Sequence, residues 1–175
     1  IEMQTGAIQM DGRLLDLFGW SRGLIIRHNK LSLSTTPFYC SGASVMVRRT
    51  NLPAGGFDTQ VFSGDYDLCW RLRLLGYEMA SANQSICFHY GSASTKTFVT
   101  KTKFFYNHYC EIARVLLKNY SLKNVCKQLP LSITLMLIEA SYVSFKEKTP
   151  NYLVSFVNSL MWNLKKMRNT FEHRM

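Results

Sequence analysis

The chain has 175 residues, of which 47% are hydrophobic and 18% charged, and this balance predicts a globular protein with a buried core. Its formal net charge of +10 favours an anionic partner: a phosphorylated substrate, an acidic lipid surface or nucleic acid. The five cysteines are widely spaced without a Cys-x-x-Cys pair, which indicates reduced thiols in a cytosolic protein rather than a zinc framework or a disulfide set.

The N-terminal part of the sequence predicts short elements separated by turns. Residues 1–36 are turn-rich and predict irregular structure. Phe38–Arg49 carries aromatic and β-branched residues around small ones and predicts a buried strand, which Asn51–Gly56 ends as a turn. The apolar spacing from Asp67 onward predicts a short helix that ends at Gly76.

Residues 77–90 predict a further strand, and the chain then becomes helical in character. An amphipathic helix is indicated around residues 105–118, followed by an apolar run over 131–145 that is short for a membrane span of about 20 residues. Pro150 interrupts the pattern before residues 152–167 resume it. These features predict two regions, residues 1–100 and residues 101–175.

Acidic residues cluster at the start of the first predicted helix. Asp65 suits a cap on that helix, while Asp67 suits an ion pair with Arg71 four residues later. Alternatively, Asp65-Tyr66-Asp67 matches the Asp-x-Asp pattern with which sugar-nucleotide enzymes hold a divalent ion and a diphosphate. The tripeptide alone does not decide between these interpretations.

The order of motifs around this tripeptide resembles family 2 glycosyltransferases, most of all their rhamnosyltransferase branch, from about Thr5 to Ser94. The motifs that carry the resemblance are Ser41-Gly-Ala, Arg48-Arg, Gly55-Gly-Phe-Asp, Asp65-Tyr-Asp-Leu-Cys-Trp-Arg-Leu-Arg, Gly76-Tyr, and His89 before Gly91-Ser-Ala-Ser. The resemblance implies an α/β fold, here a partial Rossmann-like GT-A domain followed by a helical region. The family pattern Glu-Asp-x-Asp-Leu-x-x-Arg has Gly64 in place of its Glu.

The resemblance also implies an inverting sugar transfer, with Asp65 as the general base that deprotonates the acceptor hydroxyl. Asp67 and Arg71 then support the helix beneath the base. His89 either joins a divalent metal, Mg²⁺ or Mn²⁺, that neutralises the leaving diphosphate, or is an interior histidine.

Glycine and aromatic residues near the base are candidates for acceptor binding. Gly55 and Gly56 predict an unusual turn whose backbone lines the acceptor site. Phe57 and Trp70 suit either a stacking platform for a sugar or the protein core.

The expected substrates are a nucleotide-diphospho-sugar donor, such as an activated rhamnose, and a glycan or glycolipid acceptor of the cell surface. No donor-binding half is recognisable before Phe38, so these residues alone are expected to lack activity. The alternative is a non-catalytic relative that binds a membrane or partner. No nucleic-acid-binding motif accompanies the charge. The basic C-terminal residues favour a cytoplasmic protein, peripheral at the inner face of the cell membrane; they are Lys123, Lys127, Lys146, Lys148, Lys165, Lys166 and Arg168.

Overall fold

The computed structural model describes residues 12–23, 37–53, 55–62, 64–80, 82, 85–88, 90 and 99–175. The chain divides into two compact units. The first unit comprises residues 1–16, 21–59 and 63–93, and the second comprises residues 17–20, 60–62 and 94–175. The second unit is called the helical unit below.

Three short strands and one helix form the described part of the first unit. The strands are β1 (Gly12–Leu15), β2 (Ser21–Gly23) and β3 (Tyr39–Cys40), and they pair antiparallel in the order β2-β1-β3. Helix α1 (Gly64–Leu74) contacts β3. It ends as predicted, since Gly76 adopts a φ of 87° and Tyr77 N donates to Leu72 O at 3.0 Å.

The expected α/β fold of a partial GT-A domain is wrong for the part of the chain that the structure describes. That part is mostly helical and contains no Rossmann-like sheet, and its few paired strand residues all run antiparallel. A parallel sheet requires strands linked by crossover helices, and no such unit occurs in the described ranges.

The predicted strands failed for local reasons. Within residues 38–49 only Tyr39 and Cys40 pair, because the small residues Gly42–Ser44 form a 3₁₀ turn instead of continuing the strand. None of the described residues between 77 and 90 is in a strand. Conversely, β1 and β2 lie in the segment for which the sequence predicts irregular structure.

Four helices make up most of the helical unit: α2 (Lys101–Asn119), α3 (Leu122–Lys146), α4 (Asn151–Lys165) and α5 (Met167–Glu172). The predicted helices at 105–118, 131–145 and 152–167 are thereby confirmed, with shifted ends. The α3 helix begins before Pro130 because the Ser121 hydroxyl accepts a hydrogen bond from Asn124 N at 3.4 Å. The Thr100 hydroxyl caps α2 in the same way, through Lys103 N.

Helix α2 is the centre of the helical unit, and every residue from Tyr109 to Asn119 is buried. It packs closely against α4, which presents the small buried residues Ser155 and Ser159. Asn163 of α4 donates to Cys110 O at 3.2 Å, so the two helices are also joined by a buried polar contact.

The C-terminal residues form hydrogen bonds with the second half of α2 and the residue that follows it. The buried guanidinium of Arg114 donates to the Thr170 hydroxyl at 2.6 Å and to Asn169 Oδ1 at 2.9 Å. Arg174 donates to the carbonyl oxygens of Leu117 and Tyr120, which are groups that a helix end leaves without intrahelical partners. The chain end therefore stabilises the central helix.

Candidate functional site

The carboxyl group of Asp65 is held by two backbone amides at the start of α1. Its Oδ2 accepts from Gly42 N at 2.9 Å, and its Oδ1 accepts from Tyr66 N at 3.0 Å. Gly42 is 23 residues away in sequence, so this contact joins the Ser-Gly-Ala motif to the acidic motif. Asp65 is half-buried, and each carboxylate oxygen has a second lone pair with which to accept a proton or a hydrogen bond.

Gly64, the residue that replaces the family's Glu, packs against the preceding loop. A Cβ at this position would lie 3.4 Å from Asp58 O and 3.5 Å from Phe57 Cδ1. These are ordinary van der Waals distances, so a side chain at this position would begin in contact with that loop.

Asp67 and Arg71 form a buried ion pair behind Asp65, with Arg71 Nε 3.0 Å from Asp67 Oδ2. Arg71 also donates to the carbonyl oxygen of Gly56. Gly55 and Gly56 have φ values of 85° and 55°, a region in which glycine is favoured. The ion pair thus connects the diglycine turn to α1 and fixes the helix that carries Asp65.

The two candidate stacking residues lie in different environments. Phe57 is 48% exposed, whereas Trp70 is 7% exposed and packs edge-on against Phe38 with ring centroids 5.6 Å apart. Stacking of a sugar on Trp70 would require this core packing to open. Phe57 offers its ring without such a change.

Arg73 is a positioning residue that the sequence analysis missed. Its Nε donates to Phe38 O at 2.9 Å, its Nη2 donates to Pro37 O at 2.6 Å, and its guanidinium lies 5.3 Å from the Phe38 ring centroid. These contacts anchor α1 to the segment that leads into β3. The Arg-Leu-Arg spacing was visible in the sequence, but its partners more than 30 residues away were not.

The thiol next to this site is not poised as a nucleophile. Burial raises the pKa of Cys69 to about 11, so the thiol is protonated at neutral pH. Near α1, Asp65 is a partly exposed carboxyl group whose two oxygens are each held by a backbone amide.

The expected metal ligand, His89, lies outside the described residues. Within the ranges that the structure does describe, no group of three or more His, Cys, Asp or Glu side chains comes together as a metal site.

An open cavity of about 210 Å³ lies within the helical unit, and aromatic rings and polar side chains line it. The rings belong to Phe62, Tyr106 and Trp162, and Lys103 Nζ lies 4.3 Å from the Tyr106 centroid. Burial raises the pKa of Cys110, which also lines the cavity, to about 11. Its lining can accommodate a small polar molecule.

No protein-family model, curated protein or solved structure matches this chain.

Proposed function

We propose that this chain carries the acceptor side of an inverting glycosyltransferase related to family 2, with Asp65 as the general base. The hydrogen bond from Gly42 N to Asp65 Oδ2 is the observation that carries the proposal. Two motifs of the resemblance, distant in sequence, meet there at the carboxylate to which the resemblance gives the central role. A helix cap alone would need no partner from the Ser-Gly-Ala segment.

The proposed reaction follows from the position of this carboxylate. An acceptor hydroxyl, on a surface polysaccharide or lipid-linked glycan, gives its proton to a free lone pair of Asp65 while its oxygen attacks the anomeric carbon. The bond from that carbon to the nucleoside diphosphate breaks on the opposite face, so the configuration inverts. The donor, a nucleotide-diphospho-sugar, belongs in this proposal to a binding half outside these residues, and a divalent metal would neutralise the leaving diphosphate.

The supporting residues have separate tasks in this proposal. The backbone amides of Gly42 and Tyr66 fix the orientation of the carboxylate. A fixed carboxylate is more often in position to take the proton of the acceptor hydroxyl. Asp67 and Arg71 hold the diglycine turn against α1. Phe57 is exposed beside that turn and provides the acceptor with an apolar surface.

A second candidate function is a non-catalytic module that binds a membrane or partner. It is favoured by Gly64, which stands where the pattern of the resembled family has a Glu. Under this alternative Asp65 acts only as a structural link between Gly42 and α1.

Asp65→Asn tests the proposal in the complete open reading frame, assayed with a panel of nucleotide-diphospho-sugars and Mg²⁺ or Mn²⁺. We expect transfer to fall about 10²-fold to 10⁴-fold, because the amide keeps the shape but loses the base. The matched control is Glu78→Gln, which removes an exposed carboxylate of the same unit, after the end of α1, and should leave transfer unchanged. Transfer by Asp65→Asn at the unsubstituted rate would reject Asp65 as the base. Absence of transfer with every donor would favour the binding module.

A further inference from the structure

The helical unit exposes apolar side chains along two narrow lines. On α3 they recur with spacings of seven, four and three residues, which places them on one helix face; we call Leu131, Ile138, Tyr142 and Phe145 the α3 stripe. On α4 the spacings are three, four and three, and we call Val154, Val157, Met161 and Leu164 the α4 stripe. Phe145 is 86% exposed, the highest value in either stripe. Long exposed apolar stripes on adjacent helices indicate a contact surface.

The two stripes belong to a helical hairpin. Only residues 147–150 separate α3 from α4, the helices pack against each other, and Leu153 N donates to the Ser144 hydroxyl at 3.2 Å. Helices joined by so short a connection run antiparallel. Because α3 has 25 residues and α4 has 15, the end of α4 lies beside the part of α3 around Leu131.

Basic side chains are placed at both ends of this hairpin. Lys146 and Lys148 lie at the connection. Further basic residues lie away from it: Lys123 and Lys127 near the start of α3, and Lys165, Lys166 and Arg168 at and after the end of α4. The middle of the hairpin carries the stripes. Apolar side chains between clusters of lysine and arginine complement the interface of an anionic bilayer, where acyl chains lie below negative headgroups.

Two hydroxyl groups on the exposed side of α3 are already hydrogen-bonded within the helix. The hydroxyls of Thr134 and Ser141 donate to Pro130 O at 2.9 Å and to Leu137 O at 2.7 Å. These side chains can enter an apolar medium without leaving a donor unpaired, which would otherwise be unfavourable. The same face therefore tolerates contact with lipid.

The hairpin fits a position in the plane of the membrane surface. By length and composition α3 could cross a bilayer, and its most apolar window has a mean hydropathy of 1.2 with 28% of it buried. However, its opposite face, with Ser132, Met136 and Ala140, packs within the helical unit, which also buries the charged Glu111 and Arg114. In the part of the chain that the structure describes, the stripe side of α3 is exposed and can contact lipid.

We propose that the α3–α4 hairpin docks on the surface of an anionic phospholipid bilayer, with both stripes entering the interface and the basic ends binding headgroups. This docking goes beyond the proposed transfer reaction and depends on none of its residues. It would hold the chain as a peripheral protein, so that an acceptor carried by a lipid is reached in two dimensions.

Co-sedimentation of the full chain with vesicles tests the docking. We expect binding to vesicles that mix phosphatidylcholine and phosphatidylglycerol, and weak binding to phosphatidylcholine alone. Phe145→Glu and Val157→Glu should each weaken binding at least about tenfold, because a charge replaces a buried apolar group. Met46→Glu is the matched control: Met46 is 97% exposed, lies in the first unit and undergoes the same change of charge.

Basic residues provide a second, independent variant set. Lys146→Gln and Lys165→Gln should each weaken binding about fivefold at low salt, and the loss should shrink as salt is added. Arg49→Gln, at an exposed position of the first unit, should have no effect beyond the general change in net charge. Circular dichroism confirms that each variant retains its helices.

Three outcomes would overturn the proposal. The first is equal binding by Phe145→Glu and Met46→Glu, and the second is no binding to either vesicle. The third is a dimer in analytical ultracentrifugation that Phe145→Glu dissociates, without vesicle binding, which would assign the stripes to a second copy of the chain. Asp65→Asn should bind vesicles like the unsubstituted chain, so failure of docking and failure of the transfer reaction are distinguishable.

Discussion

At the scale of single residues, two ion pairs between an arginine and a carboxylate have the same spacing but lie in different environments. Asp67 with Arg71 and Glu172 with Arg168 are both four residues apart, and both have an Nε to carboxylate distance of 3.0 Å. The first pair is buried, whereas the side chains of Arg168 and Glu172 are 93% and 54% exposed. Solvent screens the second pair and leaves it little net contribution to stability.

Asp67→Asn should lower the free energy of unfolding of the first unit by about 3–5 kcal/mol, because it leaves a buried guanidinium without its counter-charge. Glu172→Gln, the matched change in the exposed pair, should alter stability by no more than the measurement error. Urea denaturation followed by circular dichroism measures both. Equal effects of the two substitutions would show that Asp67 contributes no more than a surface carboxylate.

We expect the carboxyl group of Glu139 to make the stability of the helical unit depend on pH. Burial raises the pKa of this carboxyl, and the nearby Tyr109 hydroxyl opposes the shift in part. A group with a raised folded-state pKa binds its proton more tightly when folded, so its contribution is fully present below the unfolded pKa. It is lost as pH rises through the raised folded value.

Glu139→Gln should therefore stabilise the helical unit at neutral pH and have little effect near pH 4, where the native carboxyl is protonated as well. Thermal unfolding of the two proteins across this range gives the comparison. Glu147→Gln, which removes an exposed carboxylate at the end of α3, is the control and should not produce this difference between neutral pH and pH 4. A stability gain that is constant with pH would contradict the assignment to Glu139.

At the scale of elements, local periodicity predicted the helices well and the strands poorly. The apolar spacing of α2 and the glycine after α1 are encoded within a few neighbouring residues. Strands depend instead on partners that the sequence does not identify, and the small residues after Cys40 favoured a 3₁₀ turn. The site shows the same limit: the spacing of Asp67 and Arg71 was readable, but the contact of Asp65 with Gly42 was not.

The packing of α2 against α4 depends on small side chains. Ser159 is 1% exposed, and its hydroxyl donates to Phe156 O at 2.6 Å. Ser159→Leu should lower the free energy of unfolding by about 1–3 kcal/mol, since the larger side chain forces the helices apart. Asn158→Leu, which introduces leucine at the exposed neighbouring position, should hardly change the free energy of unfolding. Thermal denaturation compares them, and equal losses would mean that close helix contact is unimportant.

At the scale of the whole molecule, the helical unit includes residues far from its helices in sequence. Residues 17–20, which connect β1 to β2, belong to it. The Tyr120 hydroxyl donates to Leu17 O at 3.0 Å, and the Ser132 hydroxyl donates to Phe18 O at 2.8 Å. Gly19 is buried beside α2, where an added Cβ would lie 3.1 Å from Leu116 Cδ2. The stability of the helices therefore depends on this early segment.

Gly19→Ala tests whether the helices depend on this segment. Gly76→Ala is the control that separates backbone strain from contact of the new methyl group with the core. Both glycines have a strongly positive φ, 83° and 87°, so both substitutions introduce backbone strain of about 1–2 kcal/mol. Only at Gly19 would the new methyl group meet the core, because nothing lies within 4 Å of a Cβ at Gly76. Gly19→Ala should therefore lose about 1–3 kcal/mol more than Gly76→Ala. Hydrogen exchange should show the added loss in the amides of α2 around Leu116. Equal losses, or unchanged exchange in α2, would mean that residues 17–20 do not stabilise the helical unit.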